Sequence, residues 1–414
     1  MPKPWSVHEH LKLPTCAYVL QRTPCKPKTR LIHLPTRPTM TTINISSIET
    51  KKLSLVLSDL RRFLIGQKTH KEFFSLKSDK LTAFAQGETR EFESFIPVQY
   101  VGEEMIFSTD TKKLYDFLQT LQEDHASIEI SDQKIKIKNK QVTGVFPLTK
   151  EVGEKTELKK GTIKIPTKTF SSALSPVLFA CSQDTARPAL SSINFIPLTQ
   201  DTTRIVATDG FRLSLVQITQ NLGIESPILV PAGFLSESIG ILKSADQLFF
   251  GIDVEGKKIN LSQGSTSLSS QLLSGDYPAY EKVLVQSHQH SFVLQKKEIE
   301  AALKTVGVFA RDHSNIAVFC IENKSILIRP KKEAGQESGV SIQRVNTKSE
   351  EKLTIAFNIR YILDFLGSIE DEQFTIRVNR PETPILFLSG VVEDDEKTDQ
   401  FFYQHVIMPI RIQE

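Results

Sequence analysis

Four cysteines and one tryptophan in 414 residues are little to work with. Cys16, Cys25, Cys181 and Cys320 stand far apart, with no CxxC pair. That spacing removes a disulfide framework and a structural zinc site, and fits buried single thiols in a reducing compartment. No apolar run approaches the roughly 20 residues that a membrane-spanning helix needs. Neither GxxxxGK(S/T) nor a GxGxxG after a strand occurs, so no glycine-rich phosphate cradle is on offer. There is no GxSxG elbow, and no spacing sets an acid, a base and a nucleophile together. His288 and His290 form an HxH pair without a third ligand nearby, and read as surface histidines at a boundary. Asp394 and Asp395 sit in a polar turn and read as solvation. The expectation is a cytoplasmic protein that is not an enzyme and carries no metal and no cofactor.

Charge is low overall, +3, but uneven. Residues 1–39 hold Lys3, Lys12, Arg22, Lys26, Lys28, Arg30 and Arg37 against one acid, Glu9. The body beyond them is therefore mildly acidic, and binds DNA only if its positive charge is gathered on one surface. The proline-rich, basic segment 1–40 has no helical stripe and reads as a flexible tail or a non-native extension, with folding expected to begin at Met40. A targeting presequence is its rival reading.

What is there is repetition. An amphipathic helix, two or three strands, a second amphipathic helix and a run of strands occur three times. Leu53, Val56, Leu57, Leu60 and Leu64 mark the first stripe, and Leu114, Phe117, Leu118 and Leu121 the second. Phe170, Ala173, Leu174 and Val177 follow, then the weaker Leu235, Ile239 and Leu242. Ile299, Ala302, Leu303 and Val306, then Ile362, Phe365, Leu366 and Ile369, complete the set. Each stripe gives a helix one buried and one wet face. Alternating runs such as Lys134-Ile135-Lys136-Ile137-Lys138 read as half-buried strands. Second helices are expected to start near Lys112, Gly233 and Arg360. The fold class is α+β: antiparallel sheet with helices packed on one side. The domains are expected at 41–155, 156–287 and 288–414, with Lys331 to Lys352 an inserted loop or hairpin tip.

Three segments are unusually specific: Ala207-Thr208-Asp209-Gly210-Phe211-Arg212-Leu213, Gly275-Asp276-Tyr277-Pro278-Ala279-Tyr280, and the terminal Val406-Ile407-Met408-Pro409-Ile410-Arg411-Ile412. Each alone is a hairpin, a turn or a last strand. In this order the chain resembles the bacterial sliding clamp family, the beta subunit of DNA polymerase III. Ala186–Ile193 and Phe357–Asp364 add to the resemblance, which covers roughly 41–414 and is weakest over the first domain.

The resemblance implies three tandem clamp domains, each with sheets outside and two helices inside. Two copies would pair head to tail into a homodimeric ring around duplex DNA. It implies as partners the replicative DNA polymerase, the clamp loader and other proteins carrying a clamp-binding motif, and no membrane. It implies a peptide-binding cleft walled by Leu190, Thr208, Gly210, Phe211, Arg212, Leu213, Pro278, Lys282, Val283, Val406, Ile407, Met408, Pro409, Ile410, Arg411 and Ile412. Helix-face candidates for DNA are Arg61, Arg62, Lys112, Lys113, Lys168, Lys243, Lys296, Lys297, Lys304 and Arg360, with Lys68 and Lys71 in the loop after the first helix. An ordinary solvated lysine explains any one of them equally well. Phe211 stands where the family usually has His, Gln413 and Glu414 extend past the usual end, and Arg311, Asp312 and His313 occupy the expected dimer contact. A same-fold adaptor that binds peptides without encircling DNA, and an enzyme with a scattered site, are the rival readings.

Overall fold

The computed structural model describes residues 42–414, apart from 150–152, 154, 156, 185, 286, 312–313, 323–324, 332–339, 344–345, 348–351, 393–401 and 412–414. The expectations for residues 1–40, Asp312, His313, Asp394, Asp395, Ile412, Gln413 and Glu414 lie outside the described residues.

One order of elements is used three times. The first repeat is β1 (Ile43–Glu49), α1 (Thr50–Phe63), β2 (His70–Lys77), β3 (Lys80–Gly87), β4 (Arg90–Pro97), β5 (Met105–Thr109), α2 (Thr111–Gln119), β6 (His125–Ile130), β7 (Lys134–Asn139) and β8 (Val142–Thr149). The second is β9 (Ile163–Pro166), α3 (Thr167–Leu178), β10 (Ser192–Pro197), β11 (Thr202–Thr208), β12 (Arg212–Thr219), β13 (Ile228–Pro231), α4 (Ala232–Ile241), β14 (Gln247–Asp253), β15 (Lys258–Gln263) and β16 (Thr266–Gln271). The third is β17 (His290–Gln295), α5 (Lys296–Ala310), β18 (Ile316–Glu322), β19 (Ser325–Pro330), β20 (Val340–Gln343), β21 (Asn346–Thr347), β22 (Leu353–Asn358), α6 (Ile359–Ser368), β23 (Gln373–Val378), β24 (Ile385–Ser389) and β25 (Tyr403–Ile407). The stretch read as an inserted loop thus contains β20 and β21. The latter pairs with β17, an addition without a counterpart in the other two repeats.

Pairing repeats as well. The first strand of each repeat pairs with the strand that follows its second helix: β1 with β6, β9 with β14, β17 with β23. The fourth strand folds back on the first strand of the meander: β5 on β2, β13 on β10, β22 on β18. All of these pairs are antiparallel. Repeats are then joined edge to edge. β4 pairs with β16, placing Phe92 opposite Leu268, and β12 pairs with β25, placing Leu213 opposite Val406.

The six helices form one row. α2 packs on α1, α1 on α4, α4 on α3, α3 on α6 and α6 on α5. Their stripes face the sheets and bury Leu53, Leu57, Leu114, Phe170, Leu174, Leu303 and Phe365. α2 and α6 begin where a side chain satisfies an orphan backbone donor. Asp110 accepts from Lys113 N at 2.9 Å, and Asn358 accepts from Arg360 N at 3.0 Å. The expected starts at Lys112, Gly233 and Arg360 each fall one residue inside the observed helix.

α4 keeps Leu235 and Leu242 of its expected stripe buried and adds others. Its buried residues are Phe234, Leu235, Ser238 and Ile241, with Ile239 only half-buried. Its other side makes a second contact. A Cβ on Gly240 would lie 2.5 Å from the Arg62 guanidinium, and one on Gly233 would lie 2.8 Å from Arg90 Nη2. Glu237 sits between those glycines on the helix and accepts from Arg62 Nε at 2.5 Å. Glycine lets two arginines of the first repeat reach across. Among the described residues no helix is long and apolar enough to cross a membrane.

Candidate peptide cleft and helix face

The turn between β11 and β12 is built by its own side chains. Gly210 takes φ +93°, which a Cβ would disfavour. Asp209 Oδ1 accepts from Phe211 N at 2.9 Å and from Arg212 N at 3.0 Å. Thr208 Oγ1 accepts from Gly210 N at 3.0 Å and donates to Arg212 O at 2.6 Å. A turn tied at four points holds Phe211 out, 64% exposed. Phe211 O accepts from Met408 N at 2.9 Å, so the segment after β25 runs beside the turn. Met408, Pro409 and Ile410 are half-exposed there. Ile410 N donates to Ala356 O at 2.8 Å, and its side chain packs on the small cluster of Ile316, Val318 and Ala356.

Beneath this surface lies a separate small core. Val206, Leu213 and Leu215 from the second repeat meet Leu386, Leu388 and Val406 from the third. Tyr280 and Val285 close it from the segment between the repeats, with Tyr277, Val283 and Leu284 packed against it. Tyr277 donates to Val206 O at 3.4 Å, and burial raises its phenol above the usual range. Leu213, Val406 and Ile407, named among the wall candidates, lie buried in the core. Their side chains are 2%, 1% and 0% exposed, because β25 is covered on both faces: Val406 and Leu213 enter the small core and Ile407 the main one.

Arg212, another wall candidate, is also mostly buried. Its guanidinium is nearly closed off from solvent and serves as a knot between repeats. Nε donates to Asp209 Oδ2 at 3.0 Å, one Nη to Asp364 on α6, and the other to Phe179 O just past α3. The Tyr361 ring lies 4.5 Å away and the Phe179 ring 5.3 Å away. Asp209, Asp364, Phe179 and Tyr361 went unassigned in the sequence because three of the four are far from Arg212 along the chain. His405 went unnoticed as well. It lies under the same knot, shares a 2.8 Å hydrogen bond with Ser214 Oγ, and is held down to about 3 by burial and by Arg212.

The remaining wall candidates are spread along two loops. Leu190 is half-buried in the turn before β10, with its O bonded to Ser182 N at 2.8 Å. Pro278 and Lys282 are exposed, and Val283 is half-buried in the short 3-10 turn Tyr280–Val283. Arg411 is exposed. A groove of 1230 Å³ lies beside these residues rather than on them, between α3, α4 and the first repeat.

On the helix row many candidate cations are already engaged. Arg62 binds Glu237, Arg61 lies 3.9 Å from Asp116, Lys113 pairs with Asp110, Lys297 with Glu372 and Lys304 with Glu300. Lys296 Nζ donates to Ile369 O at 2.6 Å. Lys68, Lys112, Lys168, Lys243 and Arg360 are exposed and have no ion pair with a described residue. Lys71 is corrected from loop to strand, since it belongs to β2. His290 is corrected from surface to interior: it opens β17 and lies buried 6.4 Å from the Phe292 ring. No group of three His, Cys, Asp or Glu able to hold a metal is present among the described residues. Cys181 is buried, and its thiol is pushed up to about 12 by desolvation, which leaves it unreactive.

The sequence and the fold both have relatives. The family model for the DNA polymerase III beta subunit, central domain, matches residues 164–279, and that for its C-terminal domain matches 281–411. The chain is 24% identical over 265 residues to the beta sliding clamp of Synechocystis sp., covering 60% of this chain and 65% of that one. It is 26% identical over 212 residues to the beta sliding clamp of Caulobacter vibrioides, covering 50% and 54%. These matches thus span less than two thirds of those relatives. Among solved structures, the DNA polymerase III beta subunit of Thermotoga maritima superposes with a TM-score of 0.78 at 20% identity, over 91% of this chain and 100% of that one. The sliding clamp of Pseudomonas aeruginosa bound to griselimycin gives 0.79 at 19% identity, over 90% and 100%. The structural likeness extends the shared fold to the first repeat.

Proposed function

Because the chain belongs to the DNA polymerase III beta-subunit family, we propose that it is a sliding clamp: two copies close head to tail around duplex DNA and partners hold the ring through the cleft beside β12 and β25. We take its domains as 41–155, 156–287 and 288–414, and its place as the cytoplasm, with the DNA it serves.

One observation carries the ring. Within the chain, the third strand of one meander pairs with the last strand of the following repeat, as β4 with β16 and β12 with β25. The strand in the first of these positions in the third repeat is β20, which ends its sheet. The strand in the second position in the first repeat is β8, whose pairing with β5 reaches only Leu148 and Thr149. Each chain thus offers the two halves of one more joint of the same kind. A second copy supplies both, and two equivalent head-to-tail joints close the pair as a dimer. Exposed apolar side chains support those edges. Val142 and Val145 lie on β8, and Val308 and Phe309 lie on the last turn of α5, which packs on β20.

The helix row would then line the hole. Among the described residues, Lys68, Lys71, Lys112, Lys168, Lys243 and Arg360 are the candidate side chains free to meet phosphates, with Lys297 and Lys304 more weakly placed. Few free cations mean weak, salt-sensitive attraction. Retention comes from topology, and weak contact permits sliding. The replicative polymerase, the clamp loader and other motif-bearing proteins would attach at Phe211, Met408 and Pro409, with Leu190, Thr208, Gly210, Pro278, Lys282, Val283, Ile410 and Arg411 around them.

The test is retention. Protein placed on closed circular DNA by a clamp loader stays bound, and runs off when the circle is cut. Equal retention on circular and linear DNA overturns the proposal. The pairing of so many helix-face cations with carboxylates favours one other reading, an adaptor of the same fold that never encircles DNA. A monomer at micromolar concentration, with peptide binding intact, would decide for it.

A further inference from the structure

The 1230 Å³ groove and the cleft are two sides of the same loops. Pro188 and Ser191 line the groove, while Leu190 between them is a cleft candidate. Gln271, Leu272 and Leu273 line the groove, and the same segment continues to Pro278, Lys282 and Val283. Phe179 lines the groove and holds Arg212, which ends the Phe211 turn. A chain leaving the cleft across either loop enters the groove.

Arg90, on β4 of the first repeat, lines the groove too, opposite Ser270 in the β4–β16 pairing. It is half-buried, and its guanidinium has no hydrogen bond or ion pair with a described residue. The nearby carboxylate, Glu237, is engaged by Arg62. Glu237 offsets the charge of Arg90 without bonding it, so the partly desolvated guanidinium keeps its donors unfilled, and burial lowers its proton affinity. A carboxylate arriving from outside would relieve it through two parallel hydrogen bonds.

We propose that the groove receives an extended, acidic segment of the same partner polypeptide whose apolar anchor occupies the cleft, with a carboxylate of that segment on Arg90. This rests on the cleft reading and adds the chemistry of what flanks the anchor. The lining favours polypeptide. Ser172, Ser175, Ser236 and Gln183 offer hydroxyl and amide partners for a main chain, beside the apolar Leu273 and Pro176. Among the described residues Arg90 is the one Lys or Arg in the lining, beside the carboxylates of Glu237 and Glu370, whereas a phosphate backbone is met by several cations. The volume exceeds the roughly 300–1,000 Å³ of a small-molecule site, which suits a length of chain.

The experiment uses the full-length protein and three labelled peptides followed by anisotropy: the anchor Gln-Leu-x-Leu-Phe alone, and the anchor with an Asp/Glu-rich tail placed before or after it. One tailed peptide binds about tenfold tighter than the anchor alone. In Arg90→Gln that gain disappears while the anchor alone binds as before. Ser175→Glu, which leaves Arg90 in place but adds a negative charge to the groove, removes the gain as well. Circular dichroism and melting confirm that both variants are folded. A tail that adds nothing, or a gain that survives both substitutions, overturns the inference while leaving the cleft intact. An anchor that does not bind at all sinks the cleft reading and, with it, the inference. Loss of duplex DNA binding in Arg90→Gln, with no effect of the tail, would assign the groove to nucleic acid and overturn it too.

Discussion

Phe211 and Leu213 are two positions apart, and opposite forces decide what each contributes. Phe211 costs exposed apolar surface and is held out by Thr208 and Asp209. Leu213 lies in the small core shared by two repeats. Phe211→Ala and Met408→Ala are each expected to weaken a Gln-Leu-x-Leu-Phe peptide by about tenfold, the scale of a lost apolar anchor, with melting unchanged. Leu213→Ala is expected to lower stability by about 2–5 kcal/mol in a denaturant titration, as a core truncation does. Equal effects on binding and melting at all three positions would mean that rim and core are not distinct. The sequence around Asp209-Gly210 made the turn legible, since few residues accept positive φ. It did not reveal that Arg212 faces inward. Asp364 lies 152 residues away and Phe179 lies 33, and no local pattern records such a meeting.

Helices were more legible than the contacts between them. A stripe at helical spacing needs only its own residues, so α1, α3, α5 and α6 follow from their leucines, isoleucines and phenylalanines. α4 was weak because Gly233, Glu237 and Gly240 serve a neighbour instead. The seams β4–β16 and β12–β25 left no signal, because register between distant strands is set by the assembled sheet. The α1–α4 contact also carries a titrating group. Asp59 on α1 is raised to about 6 by burial, against the pull of Arg62 and Lys243. A carboxyl raised above its unfolded value binds more protons when folded. Stability therefore falls as pH rises from about 4 to about 6 and then levels off. Asp59→Asn is expected to raise the melting temperature by a few degrees at pH 8 and to leave it unchanged near pH 4. A benefit that is the same at both values would locate the effect elsewhere.

At the scale of the molecule, β8 and β20 would be the halves of a further joint of the kind that the chain makes twice within itself. Val308 and Phe309 stand beside one half, 60% and 48% exposed. They precede Arg311-Asp312-His313, which offer no apolar side chain of their own. Light scattering of the unaltered protein is expected near twice the 46.6 kDa chain mass. Phe309→Asp, which buries a charge in the joint, is expected to shift it to one chain mass with the fold retained. A dimer unchanged by that substitution would move the joint away from α5. Two chains that meet at both ends also have a kinetic property that neither end has alone. When one joint parts, the other still tethers the copies, so the gap heals at an effective local concentration of roughly millimolar rather than at the dilute concentration in solution. Such an assembly opens often at one gate and falls apart rarely. Avidity between two modest contacts, more than the strength of either, would set how long it remains whole.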